Sequence, residues 1–264
     1  MATQAPELPP VSDHYLTQAG LAVALSKALR VAWPSLDLGN LRGSLPHYRA
    51  TVAGVVRQYA LASGTLAQRD YMRRREAAGI RSPFTVPVAD PPPLEQISAN
   101  LSRASSGLWD ARLLDPATDK PTAARIAESA QASIDGAMSR LMLNAGRETT
   151  AEAVQQDRHA RAWAREARPN CCSFCAMLAS RGAAYKSEDT AGREANKRFV
   201  GDGEFKFHDH CNCQVVPVFG SFEMSAHARQ WAANWERLKE QHGGVSLYTW
   251  RQSFEGRATT DNPH

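Results

Sequence analysis

Apolar positions recur at helical spacing over most of this chain. Between His14 and Ala32 they fall at Leu16, Leu21, Ala22, Leu25 and Leu29, and Pro34 closes the segment. Pro46 to Gly79 predicts a long helix. Its stripe is Val52, Val55, Val56, Tyr59, Ala62 and Leu66, and its end is basic, with Arg69, Arg73, Arg74 and Arg75 favoured by the helix dipole. Ile80 to Pro93, with Pro83, Pro87 and the run Pro91-Pro92-Pro93, predicts a stiff crossing loop. Helical spacing resumes from Leu94 to Leu114 through Ile97, Leu101 and Leu108, and Asp115 to Pro121 forms a turn. Thr122 to Ala167 carries the longest helical pattern, with Thr122 as its N-cap and Gly146 as a place to break or kink. The buried stripe there is Ile126, Ala130, Ile134, Met138, Leu141 and Ala145; side chains this small predict close helix packing. Beyond Phe219, the positions Phe222, Ala226, Trp231, Trp235 and Leu238 predict an amphipathic helix stopped by Gly243-Gly244. Leu247, Tyr248, Trp250 and Phe254 follow; the tryptophans either pack on the protein's own helices or form a partner-binding face.

One stretch departs from this pattern. Asn170 to Phe219 holds all five cysteines, and two of the eight histidines sit among them. Cys172 and Cys175 make a C-x2-C knuckle; His208 and Cys211 make an H-x2-C knuckle, with Cys213 two residues on. Zinc takes thiolate sulfur and imidazole nitrogen in a tetrahedron, and two such knuckles split by a few tens of residues can close one. The intervening Ala176 to Phe207 is rich in Gly and charge, so a metal clip would hold what a core could not. Cys172, Cys175, His208 and Cys211 are the expected ligands of a structural zinc ion, and Cys213 rivals Cys211. If Cys211 to Phe219 is a strand, both thiols face one side. Cys171 points away, and His210 is expected near the site or on the surface. Other readings of the same residues are a disulfide, a Cys nucleophile with a His base, and thiols packed as small apolar groups.

The expected fold class is mainly α. A disordered arm (residues 1–13) precedes a long-helix region (14–168). A small α+β zinc-knuckle module (169–220) and a helical C-terminal tail (221–264) follow. A net charge of +4 permits contact with nucleic acid or an acidic partner without requiring it. No apolar run is long enough to span a bilayer, and Met1 to Ser12 lacks a signal-peptide core. Cytoplasmic synthesis with reduced thiols is therefore expected.

The residues from Cys172-Ser173-Phe174-Cys175 through Arg181-Gly182, then Tyr185, carry a resemblance. So do Phe207-His208-Asp209-His210-Cys211-Asn212-Cys213 and Pro217-Val218-Phe219. Together they resemble the VG15-type, Mu-F-like minor capsid proteins of tailed bacteriophages. The likeness is tight over Trp163 to Phe219 and looser over the helices, where Gly146-Arg147-Glu148 fits. In the usual pattern Pro directly precedes the first Cys, whereas here Asn170-Cys171 follow Pro169. The resemblance implies a few-copy protein inside the virion head near the portal, assisting head assembly or leaving with the DNA. Its implied partners are portal and capsid or scaffold proteins, with no small-molecule substrate. Some relatives carry the label capsid maturation protease.

Three functions are therefore in play. The first is a structural head protein with a closed zinc site. The second is a protease using Cys172 or Cys175 with His208 or His210, or a Ser with one of the dispersed histidines, although neither G-x-S-x-G nor H-E-x-x-H occurs. The third is a DNA-binding accessory protein using Arg73 to Arg75 and Arg158, Arg161, Arg165 and Arg168.

Overall fold

The computed structural model describes residues 12–113, 115, 117–183 and 207–256. Among them are seven α-helices and one two-stranded sheet, so the protein is mainly helical. The helices are α1 (Asp13–Ala32), α2 (Leu41–Ala77), α3 (Leu94–Ala104), α4 (Lys120–Gln156), α5 (Ser173–Ala179), α6 (Ala226–His242) and α7 (Leu247–Phe254). The strands are β1 (Ala162–Glu166) and β2 (Gln214–Val218). No helix among the described residues is long and apolar enough to cross a membrane.

Polar caps set several boundaries. Ser12 caps α1 through the Tyr15 amide, and its own amide and hydroxyl bind the Glu166 carboxylate at the end of β1. Of the expected arm, only Ser12 and Asp13 lie among the described residues, and they begin α1. Helix α2 starts ahead of Pro46 because the Asn40 side chain accepts the Gly43 N–H at 3.1 Å. Helix α4 is capped by Asp119, not Thr122; the Asp119 carboxylate accepts the Thr122 N–H at 2.9 Å, and Pro121 fits the first turn. Past Ala104 the third segment tightens into 3-10 turns at Ser106–Trp109 and Ala111–Leu113. Gly243 ends α6 at φ 67°, a left-handed conformation that glycine adopts without a Cβ clash.

Helices α2 and α4, each 37 residues long, lie together at the centre. The α2 stripe continues past Val52 and Val56 through Ala60, Ser63, Gly64, Ala67 and Tyr71, while Val55 and Tyr59 stay half-buried. Gly146 is no break: a Cβ there would lie 2.6 Å from Ser63 Oγ, so the glycine is what lets the helices approach. Gln18 of α1 closes the same contact, donating to the Ser63 carbonyl and accepting from its hydroxyl. One apolar cluster fills α1, α2, α3 and the first half of α4. A second joins the far ends of α2 and α4 to the strands, α5, α6 and α7.

The helical pattern expected to reach Ala167 stops at Gln156. Asp157 turns the chain, and Ala162–Glu166 becomes a strand antiparallel to β2, with Ala162 opposite Val218 and Glu166 opposite Gln214. The buried Arg75–Asp157 ion pair at 2.8 Å and the Tyr71 hydroxyl lock this corner to the end of α2. The tryptophans of the tail pack inward. Trp250 is buried beside Trp235, and its indole N–H donates to the Ser173 carbonyl at 2.6 Å.

Candidate metal centre

The first knuckle is built by a helix start. Cys172 is the N-cap of α5 and its sulfur accepts the Cys175 N–H at 3.3 Å. Cys175 therefore sits one turn on, on the same side, and is buried. The α5 residues Ala176–Ala179 are buried too, so this start of the expected metal-clipped loop is held by the core. Most of the rest of that loop lies outside the described residues. The second knuckle runs directly into β2, which starts at Gln214, with Cys211 and Cys213 just ahead of it, both buried.

The fold brings the two knuckles together. Cys172 Sγ lies 2.7 Å and Cys175 Sγ 3.9 Å from His208 Nε2; Cys175 Sγ lies 3.2 Å from Cys211 Sγ. The donor atoms of Cys172, Cys175 and His208 fall within 4.8 Å of one another, as do those of Cys175, Cys211 and Cys213. Cys175 is thus the shared vertex. A zinc tetrahedron with bonds of about 2.0 Å to nitrogen and 2.3 Å to sulfur has edges of roughly 3.5–3.8 Å, and the observed spacings bracket them. All five cysteines are free, and 3.2 Å is well beyond the ~2.05 Å of a disulfide. Cys171 and His210 stand outside both groups. The exposed His210, at φ 62°, lies against Gly136 of α4, where a Cβ would be 2.4 Å from its Nε2.

Proton affinities are pushed in opposite directions around the cluster. Contact with Cys175, and then with His208, holds the Cys172 thiol down at about 4, against burial. The Cys172 contact pushes His208 up to about 9. Contacts with Cys175 and Cys213 hold Cys211 far below the usual thiol range. Contacts with Cys172, Cys211 and Cys213 hold Cys175 up. The Cys175 contact pulls Cys213 down, but Cys211 and burial outweigh it and leave that thiol well above its usual value. His208 Nδ1 faces the Asp209 carbonyl at 2.6 Å, which directs Nε2 to the sulfurs. A bound cation would replace the shared protons, the usual reason that thiolate sites lose metal in acid.

The donor set fits zinc, and a residue beside it strengthens the fit. Arg147 of α4 is buried, 1% exposed, and donates to the carbonyls of Cys213 (3.0 Å) and Cys211 (2.6 Å) and to the Asn144 side chain. Phe207 lies 3.6 Å from its guanidinium carbon and 4.0 Å from that of Arg165. A buried guanidinium needs nearby negative charge, and three thiolates around one dication would supply a net −1. Nothing in the sequence around Gly146-Arg147-Glu148 marks a role for Arg147. Its spacing from the surface-like charges of the same run gave no signal.

A model of the VG15 protein family matches residues 8–238. The chain belongs to that family. Membership in the VG15 family points to a viral, phage-associated protein. The match ends within α6, so α7, whose Trp250 holds the start of α5, lies beyond it. No curated protein and no solved structure matches the chain.

Proposed function

We propose that this VG15-family chain is a minor capsid protein of a tailed bacteriophage, acting in head assembly inside the capsid near the portal after synthesis in the host cytoplasm. The helices of residues 14–168 provide the body that docks on portal, capsid or scaffold proteins. Residues 169–220 form a Mu-F-like joint closed by structural zinc on Cys172, Cys175, His208 and Cys211, with Cys213 as the competing fourth ligand. The helical tail from 221 braces α5.

The observation that carries this reading is the closed donor set. Five soft ligands converge on one place, four of them thiols in two overlapping groups around Cys175. A structural site fills all four positions with protein, whereas a catalytic site keeps one for water. Quantitative mass spectrometry of purified proheads and virions tests the role. The chain should be present at low copy in both and cross-link to portal. Its absence from heads overturns the reading.

One observation favours the protease reading: Cys172 Sγ lies 2.7 Å from His208 Nε2, within reach of a base that could take its proton. Co-expression with the capsid precursor separates the two. Cleavage that is lost in folded Cys172→Ala and His208→Ala variants makes the protein an enzyme. The structural role predicts no cleavage by the wild type.

A further inference from the structure

A cleft of about 770 Å³ opens between α3 with its trailing turns and the first half of α4. Its walls carry Arg103, Arg112, Arg125 and Arg140, against the carboxylates of Asp110 and Asp209. Both carboxylates are engaged: Asp110 by Arg112 at 2.7 Å, and Asp209 by Arg140 at 2.8 Å. Arg103 and Arg125 bind only neutral oxygens, of Asn100 and Thr122, and neither meets a carboxylate among the described residues.

Asn100 gathers two of these charges. It is buried, its amide N–H is taken by the Gln96 carbonyl, and its one carbonyl oxygen accepts from Arg103 at 3.1 Å and Arg140 at 2.6 Å. Two guanidinium groups thereby meet on one neutral oxygen; Arg140 is paired with Asp209, which leaves Arg103 as the one without a carboxylate among the described residues. Guanidinium forks match phosphate oxygens in pairs, and Arg103 and Arg125 line the cleft with only neutral partners. The size is that of a pocket for a small ligand or a short run of backbone, too small for a folded partner.

The arginines at the end of α2 and in and beside β1 are largely engaged elsewhere. Arg73 and Arg74 pair with Asp70, Arg75 is buried on Asp157, Arg165 is buried beside Phe207, and Arg168 lies over Tyr15. We propose that the α3–α4 cleft is a phosphate-binding site, with Arg103 and Arg125 as its free cations and Arg140 and Asn100 as its floor. The phosphates belong either to a nucleic-acid backbone or to a free nucleotide-sized anion. The inference does not depend on the zinc reading.

The test uses the full chain at low salt. Fluorescence anisotropy follows a labelled single-stranded oligonucleotide, and calorimetry follows inorganic pyrophosphate. An Arg103→Ala/Arg125→Ala double variant is compared with Arg69→Ala, which removes an exposed charge on α2 away from the cleft lining. The cleft site predicts at least tenfold weaker binding in the double variant, little change in Arg69→Ala, and a salt slope shallower by about one to two. Oligonucleotide binding without pyrophosphate binding identifies a backbone; binding of both identifies free phosphate groups. Equal losses in the double variant and Arg69→Ala would reduce the effect to diffuse surface charge and overturn the site. So would failure of both probes, or equally tight binding of a poly-glutamate peptide.

Discussion

The guanidinium carbon of Arg147 lies 3.6 Å from the centre of the Phe207 ring, both side chains buried where the second knuckle meets helix α4. The contact joins the Cys/His cluster to the bundle. Arg147 also carries the carbonyls of Cys211 and Cys213, and Arg140 holds Asp209 of the same loop. Arg147→Met should remove the donor to two buried carbonyls and the compensating charge. A loss of roughly 3–5 kcal/mol follows from breaking a buried charged network. Denaturant unfolding would show it, and metal affinity should fall with it. A change under 1 kcal/mol would mean that the loop docks without Arg147.

Glycine substitutions in α4 test the two close approaches separately. Alanine normally stabilises a helix interior by about 1 kcal/mol over glycine. At Gly136 the added Cβ meets the His210 ring, which is exposed and can shift, so Gly136→Ala should forfeit that gain. In a His210→Ala background the gain should return, giving a measurable coupling in a double-mutant cycle. At Gly146 the Cβ meets Ser63 Oγ, Gln18 Nε2 and the Ser63 carbonyl, on two other helices. Nothing there can yield cheaply, and Gly146→Ala should cost about 1–3 kcal/mol.

Acid should act through Asp157. Burial raises this carboxyl, but the His159 amide, the Arg75 guanidinium and the Tyr71 hydroxyl outweigh it and hold it below its ordinary value. A depressed native value means that the stabilisation is complete above the unfolded carboxylate range and is lost as pH falls through the native value. Asp157→Asn should therefore be clearly less stable at pH 7, by about 3 kcal/mol. The gap to wild type should close as pH falls below the ordinary carboxylate range. Thermal melts across pH decide this; a gap that stays constant with pH would remove Asp157 as the titrating group.

Much of the helical order was legible because long apolar stripes with polar caps are local signals. The strand β1 was not. Ala162-Trp163-Ala164-Arg165-Glu166 follows a highly charged helical run, and only pairing with β2, some fifty residues on, makes it extended. Tertiary contact overrode the local pattern. Asp119 displaced Thr122 as cap because both are good capping residues and Pro121 is tolerated just inside the start. The clustering of four cysteines with His208 was legible, since the two knuckles are spaced locally in the chain. Arg147 was not, because a buried arginine in a charged stretch looks like a solvated one until its partners are known.

Single cysteine variants sort the ligands. Cys171→Ser should leave metal content unchanged, whereas Cys172→Ser, Cys175→Ser and His208→Ala should each lower it sharply. Cys175→Ser should be the most severe, since Cys175 belongs to both groups. Cys211→Ser and Cys213→Ser compared side by side name the fourth ligand as the one whose loss releases metal. Equal retention in every variant would mean that no single thiol is required.

Elemental analysis of the purified full chain, combined with melting before and after chelation, bears most directly on the metal centre. The account predicts one zinc per chain and a midpoint that drops by 10 °C or more (order of magnitude) when the ion is removed and returns when zinc is restored. Protein that is folded, free of metal and unmoved by chelator or added zinc would contradict it.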